Sequence, residues 1–386
     1  MHKVYKIEFK PNQTQIKTIN KTFGTCRYLY NKYLVANKVI YREKKNFISG
    51  YEFDKLVNHL SKHSDELIWI KDTSSKARKQ SIMEAEIAFK RFFKGLSGYP
   101  RFKRKNDNQS YYFIKDQVKI KSKKIKVPIL GWLKLKEYDY IPEDTNVVSG
   151  RIIKEYNKYY VMFITQYEPK PYKKVNNYGF GVDAGVKDYL IFTNGQKIFR
   201  FKNINKSNKV KVLEMKIKSL QRIIANKIKI NKKKGGTAIY NSRNINKLRI
   251  KIRKLYMRLR FIRNDFIKKI CSILVKAKPI YITIENLSNK QILIDGNHKL
   301  ADNWAKCKFG YFKDFLTWKC KQRGIVLRIA DKYFASSKTC SSCGNKKKDL
   351  TLSDRTYVCK ECGLIIDRDE NAAINLLNTN KYKLAY

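Results

Sequence analysis

Phe180-Gly181-Val182-Asp183-Ala184-Gly185 is an apolar run that stops on an acid, and Ile280-Tyr281-Ile282-Thr283-Ile284-Glu285 repeats the pattern further along the chain. Each reads as a short strand ending in a carboxylate. Two more acids, Asp367 and Asp369, stand directly before a helix expected from about Asn371 to Asn378. Singly, an acid after a strand is a turn former and an acid before a helix is a cap. Three such placements weigh more in a chain with 32 acidic residues against 85 basic ones. Carboxylates gathered closely repel one another, so a fold that gathers them needs cations. Two Mg2+ ions about 4 Å apart would neutralise the charge, activate water and stabilise a leaving 3′ oxygen. The reaction expected of such a cluster is in-line hydrolysis of a phosphodiester.

Around these strands the pattern is mixed, and the expected class is a multidomain chain with α+β and α/β parts. Val4 to Phe9 alternates as a half-buried strand, and Pro11 ends it. Ile16, Ile19, Phe23, Cys26 and Tyr30 then fall on one helical face, and further helices are expected over Tyr51 to His63 and Ser74 to Gly95. From Tyr99 the period becomes two, with strands over 112–114, 118–125, 132–135, 150–154 and 159–165. The first strand is thus separated from its sheet partners by a helical insertion. Glu168 to Asn177 reads as a linker. Strands are expected at 178–183, 189–193, 197–201, 279–285 and 325–330, with one helix over Asp302 to Arg323. Two basic helices carry the apolar seams Val210, Leu213, Ile217 and Ile252, Leu255, Leu259, with Lys232 to Gly236 as the reversal. Those seams are helix packing.

The formal net charge of +53 calls for an anionic partner, and nucleic acid is the natural one. Apolar runs such as Tyr159 to Ile164 are far short of the ~18 residues that span a bilayer. Met1-His2-Lys3 leads straight into a strand with no signal-peptide core, so a cytoplasmic protein is expected, in the prokaryotic cytosol or nucleoid, with no membrane partner. Its cysteines then read as thiols or metal ligands. No GxxxxGK[ST] occurs, and the four histidines have neither HNH nor zinc-hydrolase spacing. His59 and His63 form an i, i+4 pair that fits a solvated helix face better than a metal site.

Cys340-x2-Cys343-x15-Cys359-x2-Cys362 is the sharpest local signal. Two CxxC turns, each with a glycine after its second cysteine, complete a closed tetrahedral zinc site, structural because no position stays open. Cys26, Cys271, Cys307 and Cys320 lack such spacing and read as core or surface thiols. Between Tyr99 and Lys115, Arg101, Lys103, Arg104 and Lys105 lie beside Tyr111, Tyr112 and Phe113. That mixture suits backbone and base-stacking contacts, and a half-buried sheet face explains the aromatics equally well.

Gly181-Val182-Asp183-Ala184-Gly185-Val186-Lys187 resembles the first RuvC motif of the transposon-associated TnpB family, and Ile284-Glu285-Asn286-Leu287 the second. Ser336 to Gly344 resembles the start of the family's zinc finger, and Asp367-Arg368-Asp369-Glu370-Asn371-Ala372-Ala373-Ile374-Asn375-Leu376 its third motif. Weaker echoes are Thr22 to Arg27, Phe89 to Phe93 and Pro100 to Lys103. Val182 and Ala184 replace the commoner Ile and Leu. The sequence ends nine residues after Leu377, so no long C-terminal tail is expected.

The resemblance implies a wedge-type β-barrel over 1–10 and 99–170, split by a helical recognition domain over 11–98, then a linker at 171–177. It further implies an RNase H-like (RuvC) core over 178–335 and 367–386, including a basic hairpin at 203–277, with a zinc finger inserted at 336–366. Asp183, Glu285 and Asp369 carry over as catalytic, magnesium-binding acids, Asp367 being left as the acid that opens the helix. The implied activity is RNA-guided cleavage of double-stranded target DNA by one metal-dependent site. A noncoding guide RNA would be bound, and the protein would read a short motif beside the target. Lys76 and Gln80 are the positions implied for that motif. A monomer is the expected state. Two alternatives are a guided repressor that does not cut and a compact type V CRISPR effector.

Overall fold

The computed structural model describes residues 1–44, 46–105, 107–115, 118–137, 139–143, 145–173, 176–233, 242–286, 298–347, 349–351 and 354–386. It divides into two units, Met1–Glu168 and Pro169–Tyr386.

The first unit opens with β1 (His2–Lys10) and passes through α1 (Gln13–Lys44), α2 (Gly50–His63), a 3-10 turn at Asp65–Asp72 and α3 (Ser75–Phe93). It continues with β2 (Gln109–Ile114), β3 (Lys119–Lys121), β4 (Lys124–Val127), β5 (Gly131–Leu135), β6 (Asn146–Glu155) and β7 (Lys158–Gln166). The strands form an antiparallel sheet in the order β2-β6-β7-β1-β5-β4-β3. The chain's first strand therefore sits inside the sheet, with the helices inserted between it and its neighbours. Period-two burial explains the placement: Tyr5, Ile7 and Phe9 face a core with Ile125, Leu133, Ile152, Val161 and Phe163. Among the described residues no ladder joins the edge strands β2 and β3. The helices bury a separate core of Leu29, Tyr33, Phe53, Val57, Ile70, Ile82 and Phe89. Ser49 and Glu52 start α2 with a reciprocal capping box.

The second unit contains β8 (Phe180–Ala184), β9 (Asp188–Thr193), β10 (Ile198–Lys202), α4 (Asn208–Lys233), α5 (Arg243–Lys276) and β11 (Tyr281–Ile284). Then come α6 (His298–Cys307), α7 (Phe309–Arg323), β12 (Val326–Ala330), β13 (Thr356–Val358), β14 (Ile365–Asp367), α8 (Arg368–Asn378) and β15 (Tyr382–Leu384). A six-stranded sheet runs β10-β9-β8-β11-β12-β15. β8, β11 and β12 are parallel, β9 and β15 run antiparallel to them, and β10 pairs antiparallel with β9. Phe180, Val182, Ile282 and Ile284 pack into one core with Ile267, Ile270 and Leu274 of α5 and Phe309, Phe312 and Leu316 of α7. Alternation leaves Gly181, Asp183, Thr283 and Glu285 for the other face, which α8 covers. Val210, Leu213, Ile217, Ile252 and Leu259 join α4 to α5.

Four expectations need correction. The single strand expected over 118–125 is a hairpin, because Lys121 pairs with Lys124 across a two-residue turn, and the apolar positions change parity there, from Val118 and Ile120 to Ile125 and Val127. The helix expected over Asp302 to Arg323 is two helices, broken at Lys308, whose φ is 56°. α8 begins at Arg368 rather than near Asn371, with Asp367 as its N-cap. The described part of the expected linker is bonded into the second unit: the Tyr172 amide donates to the Arg323 carbonyl and that of Asn176 to Lys278. The expected reversal at Lys234 to Gly236 lies outside the described residues, as does Leu287 of the second motif. Among the described residues no helix is long and apolar enough to cross a membrane.

Candidate active site and four-cysteine cluster

In the parallel pair β8 and β11, Val182 lies opposite Ile284. One residue on, each strand reaches its acid, so Asp183 and Glu285 leave the same end of the sheet side by side. The third acid arrives on α8, and Gly181 is what lets it approach. A Cβ at Gly181 would lie 2.0 Å from the Ala373 carbonyl oxygen and 2.3 Å from the Leu377 nitrogen. Two strand residues beyond Gly181, about 6.6 Å, is Asp183; four helical residues back from Ala373, about 6.0 Å, is Asp369. Gly181→Ala would push α8 outward, and overpacking of this kind costs about 1–3 kcal/mol or more. Its melting temperature should fall by several degrees in a thermal scan; an unchanged melt would show that the helix does not rest on this glycine.

All three residues are half-buried. Desolvation drives the Asp183 carboxyl well above the usual carboxylate range, and the charges of Glu285 and Asp369 add to it, against Arg368 and the Ala184 amide. Glu285 is raised chiefly by desolvation too, opposed by a hydrogen bond from Ser336. A carboxyl raised by neighbouring carboxylates in this way stands close to them in one site. The buried Ser336 hydroxyl donates to Glu285 Oε1. Arg368 donates to Asp369 Oδ1 from Nε at 3.2 Å and Nη2 at 3.1 Å. The oxygens of the three acids are more dispersed than the cysteine sulfurs, since they do not all lie within 4.8 Å of one another. Asp367 is occupied otherwise: it accepts from the Asp369 and Glu370 amides and lies 3.4 Å from Arg200 Nη2.

Among the described residues, Cys340, Cys343, Cys359 and Cys362 form the one group of three or more candidate ligands within 4.8 Å of one another. Cys340 Sγ is 3.6 Å from Cys362 Sγ, and Cys343 Sγ is 3.5 Å from Cys359 Sγ. Four sulfurs about 2.3 Å from a central zinc ion would stand about 3.8 Å apart, so the set fits a tetrahedral metal. Gly344 and Gly363 take φ of 80° and 71°, closing turns in which their amides donate to the carbonyls of Cys340 and Cys359. The Leu364 amide holds the Cys362 thiol down at about 6. The Asn345 amide acts likewise on Cys343, yet the three other sulfurs leave that thiol at about 12. Neighbouring thiols that share protons split in this way. Cys26, Cys271, Cys307 and Cys320 are all buried.

The two centres are joined by asparagines whose roles sequence reasoning missed. Asn371 Oδ1 accepts from the Ser341 amide at 2.9 Å, and Nδ2 donates to the Thr339 carbonyl at 2.7 Å. Asn375 Nδ2 donates to the carbonyls of Ser336 at 2.8 Å and Thr339 at 2.7 Å. Both are buried on the stripe of Ala372 and Leu376. Asparagine at i and i+4 of an otherwise apolar face was the available signal.

Of the positions expected to meet nucleic acid, Lys76 and Arg101 are exposed and Gln80 is half-buried. Lys103 is held by Glu84 at 3.1 Å and lies 4.0 Å from the centre of the Tyr30 ring. Tyr111 and Phe113 are buried in the sheet core, so the sheet-face reading accounts for them. His59 and His63 have ring centres 4.6 Å apart, and among the described residues no third ligand joins them.

Residues 309–376 match the family described as Cas12f1-like, TNB domain, and residues 1–46 match that described as Helix-turn-helix domain. In this chain the latter stretch is β1 followed by the single long helix α1. A Streptomyces pristinaespiralis protein, provisionally named an RNA-guided DNA endonuclease, is 25% identical over 97% of this chain and 88% of its own length. TnpB-like protein L79 of Acanthamoeba polyphaga mimivirus is 29% identical over 56% of this chain and 40% of its own. The chain is a TnpB-family protein. Its fold resembles the protein in a Cas12f1–sgRNA–target DNA complex, with a TM-score of 0.58 at 17% identity, covering 96% of this chain and 83% of that one. For a TnpB-family chain the fold likeness extends over both units, well beyond the two motif-matched segments.

Proposed function

We propose that this chain is an RNA-guided DNA endonuclease with one metal-dependent RuvC-type site built from Asp183, Glu285 and Asp369. The observation that carries the reading is the strand register that sets Asp183 beside Glu285, with α8 seated on Gly181 through Ala373 and Leu377 and carrying Asp369 one turn before them. The donor set suits Mg2+, since all three ligands are hard carboxylate oxygens whose crowding favours a cation. Bound there, Mg2+ would supply charge neutralisation, an activated water and stabilisation of a leaving 3′ oxygen. The protein's own part is to hold the carboxylates in place: Ser336 orients Glu285, and Arg368 fixes Asp369. Asp367 serves as the cap of α8. The sheet around the acids is read as an RNase H-like core and the first unit's sheet as the wedge-type barrel around its helical recognition insertion. The four-cysteine cluster is a structural zinc finger.

Guide RNA and double-stranded DNA are the partners, in a prokaryotic cytosol. The net charge of +53 makes both contacts phosphate-dominated, so log K should fall linearly with log salt at about −0.7 to −0.9 per phosphate neutralised. A titration showing salt-independent affinity would contradict this. A guided repressor is the weaker reading, because each of the three acid positions is filled. The likeness to a Cas12f1 protein leaves a compact CRISPR effector with the same chemistry as the second reading. The deciding experiment sequences RNA that co-purifies with the protein, then tests that complex on a plasmid library with Mg2+ or with chelator. Guided, Mg2+-dependent cuts are expected; absence of a defined RNA would remove guidance, and cutting in chelator would remove the metal.

A further inference from the structure

The helical part of the first unit contains a pocket of about 230 Å³ between α1 and the end of α3 that the proposed cleavage does not use. It is smaller than the roughly 300–1,000 Å³ of pockets that take drug-sized ligands, so it suits a single ring system. Its walls are aromatic. Phe89 and Phe47 form a T-shaped pair at 5.3 Å, Phe93 lies 6.0 Å from both Phe47 and Tyr41, and Tyr99 stands edge-on to Phe89 at 5.6 Å. Rings gathered only for core packing would be covered. Here Phe89 is buried at 3%, whereas Tyr41, Phe93 and Tyr99 keep 46%, 55% and 50% of their surface exposed. A patch of exposed rings with a polar rim marks a binding surface.

The rim says what would bind. Exposed Lys38 and Arg42 line the pocket on the α1 side, and among the described residues no carboxylate lines it. Asn37, buried in the floor, accepts from the Ile48 amide at 2.9 Å and donates one Nδ2 hydrogen to the Tyr33 carbonyl at 3.3 Å. Its side chain also hydrogen-bonds the Tyr33 hydroxyl, so its polar groups are engaged by the protein's own residues. Aromatic walls and cations at the mouth match one ligand chemistry, a flat aromatic base joined to phosphate. The geometry points to a binding site for a single unpaired nucleobase, its neighbouring phosphates meeting Lys38 and Arg42. The strand would thread past the recognition helices with one base turned into the pocket. The site needs only that the chain meets single-stranded nucleic acid, and does not depend on the acids that cut.

The test uses photocrosslinking of the full-length protein to 12-mer oligonucleotides carrying one 5-iodouracil. Ribose and deoxyribose versions are run in parallel, at high salt where phosphate attraction alone is screened. Mass spectrometry should place the crosslink on Tyr41, Phe93 or Tyr99, and whichever sugar gives the stronger yield identifies RNA or DNA as the source. Phe93→Leu and Tyr99→Leu keep apolar bulk while removing a ring, and each should weaken 12-mer binding roughly 5- to 150-fold, as loss of base stacking does. Tyr99→Phe should retain it, and an abasic 12-mer should bind the variants and the parent alike. Crosslinks confined to other peptides, or undiminished affinity in both leucine variants, would overturn the site. Concentration-dependent self-association that these variants abolish would assign the face to a second copy instead. Loss of cleavage in an Asp183 variant leaves these readouts untouched, so the two proposals fail separately.

Discussion

Asp183→Asn is expected to abolish cleavage and, without divalent ions near neutral pH, to melt at a higher temperature than the parent protein. The two effects share one cause. Desolvation and the neighbouring Glu285 and Asp369 raise the folded-state pKa of Asp183. The native state therefore binds this proton more tightly than the unfolded chain does. Stability from it is present below the unfolded value, near 3.9, and is lost as pH climbs from there through the folded value. Asparagine never ionises, so its advantage over the parent should grow with pH across that window. Adding Mg2+ should reverse the order, because a ligand that binds only the native state stabilises it by mass action and the variant has lost a ligand. Cleavage should fall by about a thousandfold or more, the equivalent of several kcal/mol of transition-state charge stabilisation. Guide and target binding should be unaffected. Melts of both proteins with and without Mg2+, beside a plasmid cleavage assay, decide it. Wild-type cutting by the variant, or an identical Mg2+ response of the two melts, would remove Asp183 from the site.

How much of this could be read from residues alone depended on how local the signal was. The apolar runs ending at Asp183 and Glu285 mark strands because burial on both faces leaves little but Val, Ile and Phe to choose from, and the parallel register then aligns the ends. The cysteine spacing is likewise self-contained, and the sulfurs converge. What was obscure depended on partners distant in sequence. Nothing in Lys308 announces a left-handed residue that splits a helix. The Ser122-Lys123 turn carries no glycine or asparagine to mark a two-residue reversal, and only the shift of apolar positions from Ile120 to Ile125 records it. Ser336 stood at the start of the expected zinc finger, and only the fold brings it to Glu285. Asp367 and Asp369 could not be ranked from spacing, since either could open a helix. Once α8 starts at Arg368, Asp367 takes the cap.

The same connections make the cysteine cluster more than a distant staple, and removing its metal should cost cleavage as well as local stability. Among the described residues the finger's own core is small, with Leu350 and Tyr357 buried beside Cys340 and Cys359 and only Leu364 and Ile366 packed against them. A core that size cannot hold a fold without a staple. Metal binding in such modules is worth roughly 10–16 kcal/mol at neutral pH, so its loss unfolds them. Here unfolding would release the backbone from Ser336 to Ser341. That backbone is what Asn371 and Asn375 grip. Ser336 would also leave Glu285, and α8 would lose the contacts that steady its first turn, where Asp369 sits. Cys359→Ser, or treatment with a zinc chelator under constant Mg2+, should therefore lower cleavage about 10- to 100-fold, the range typical of partners that orient metal ligands. Ser336→Ala should give a smaller loss with the finger intact, which separates the orienting bond from the unfolding. If zinc-stripped protein keeps both its melting profile and its cutting rate, the finger neither depends on the metal nor braces the acids.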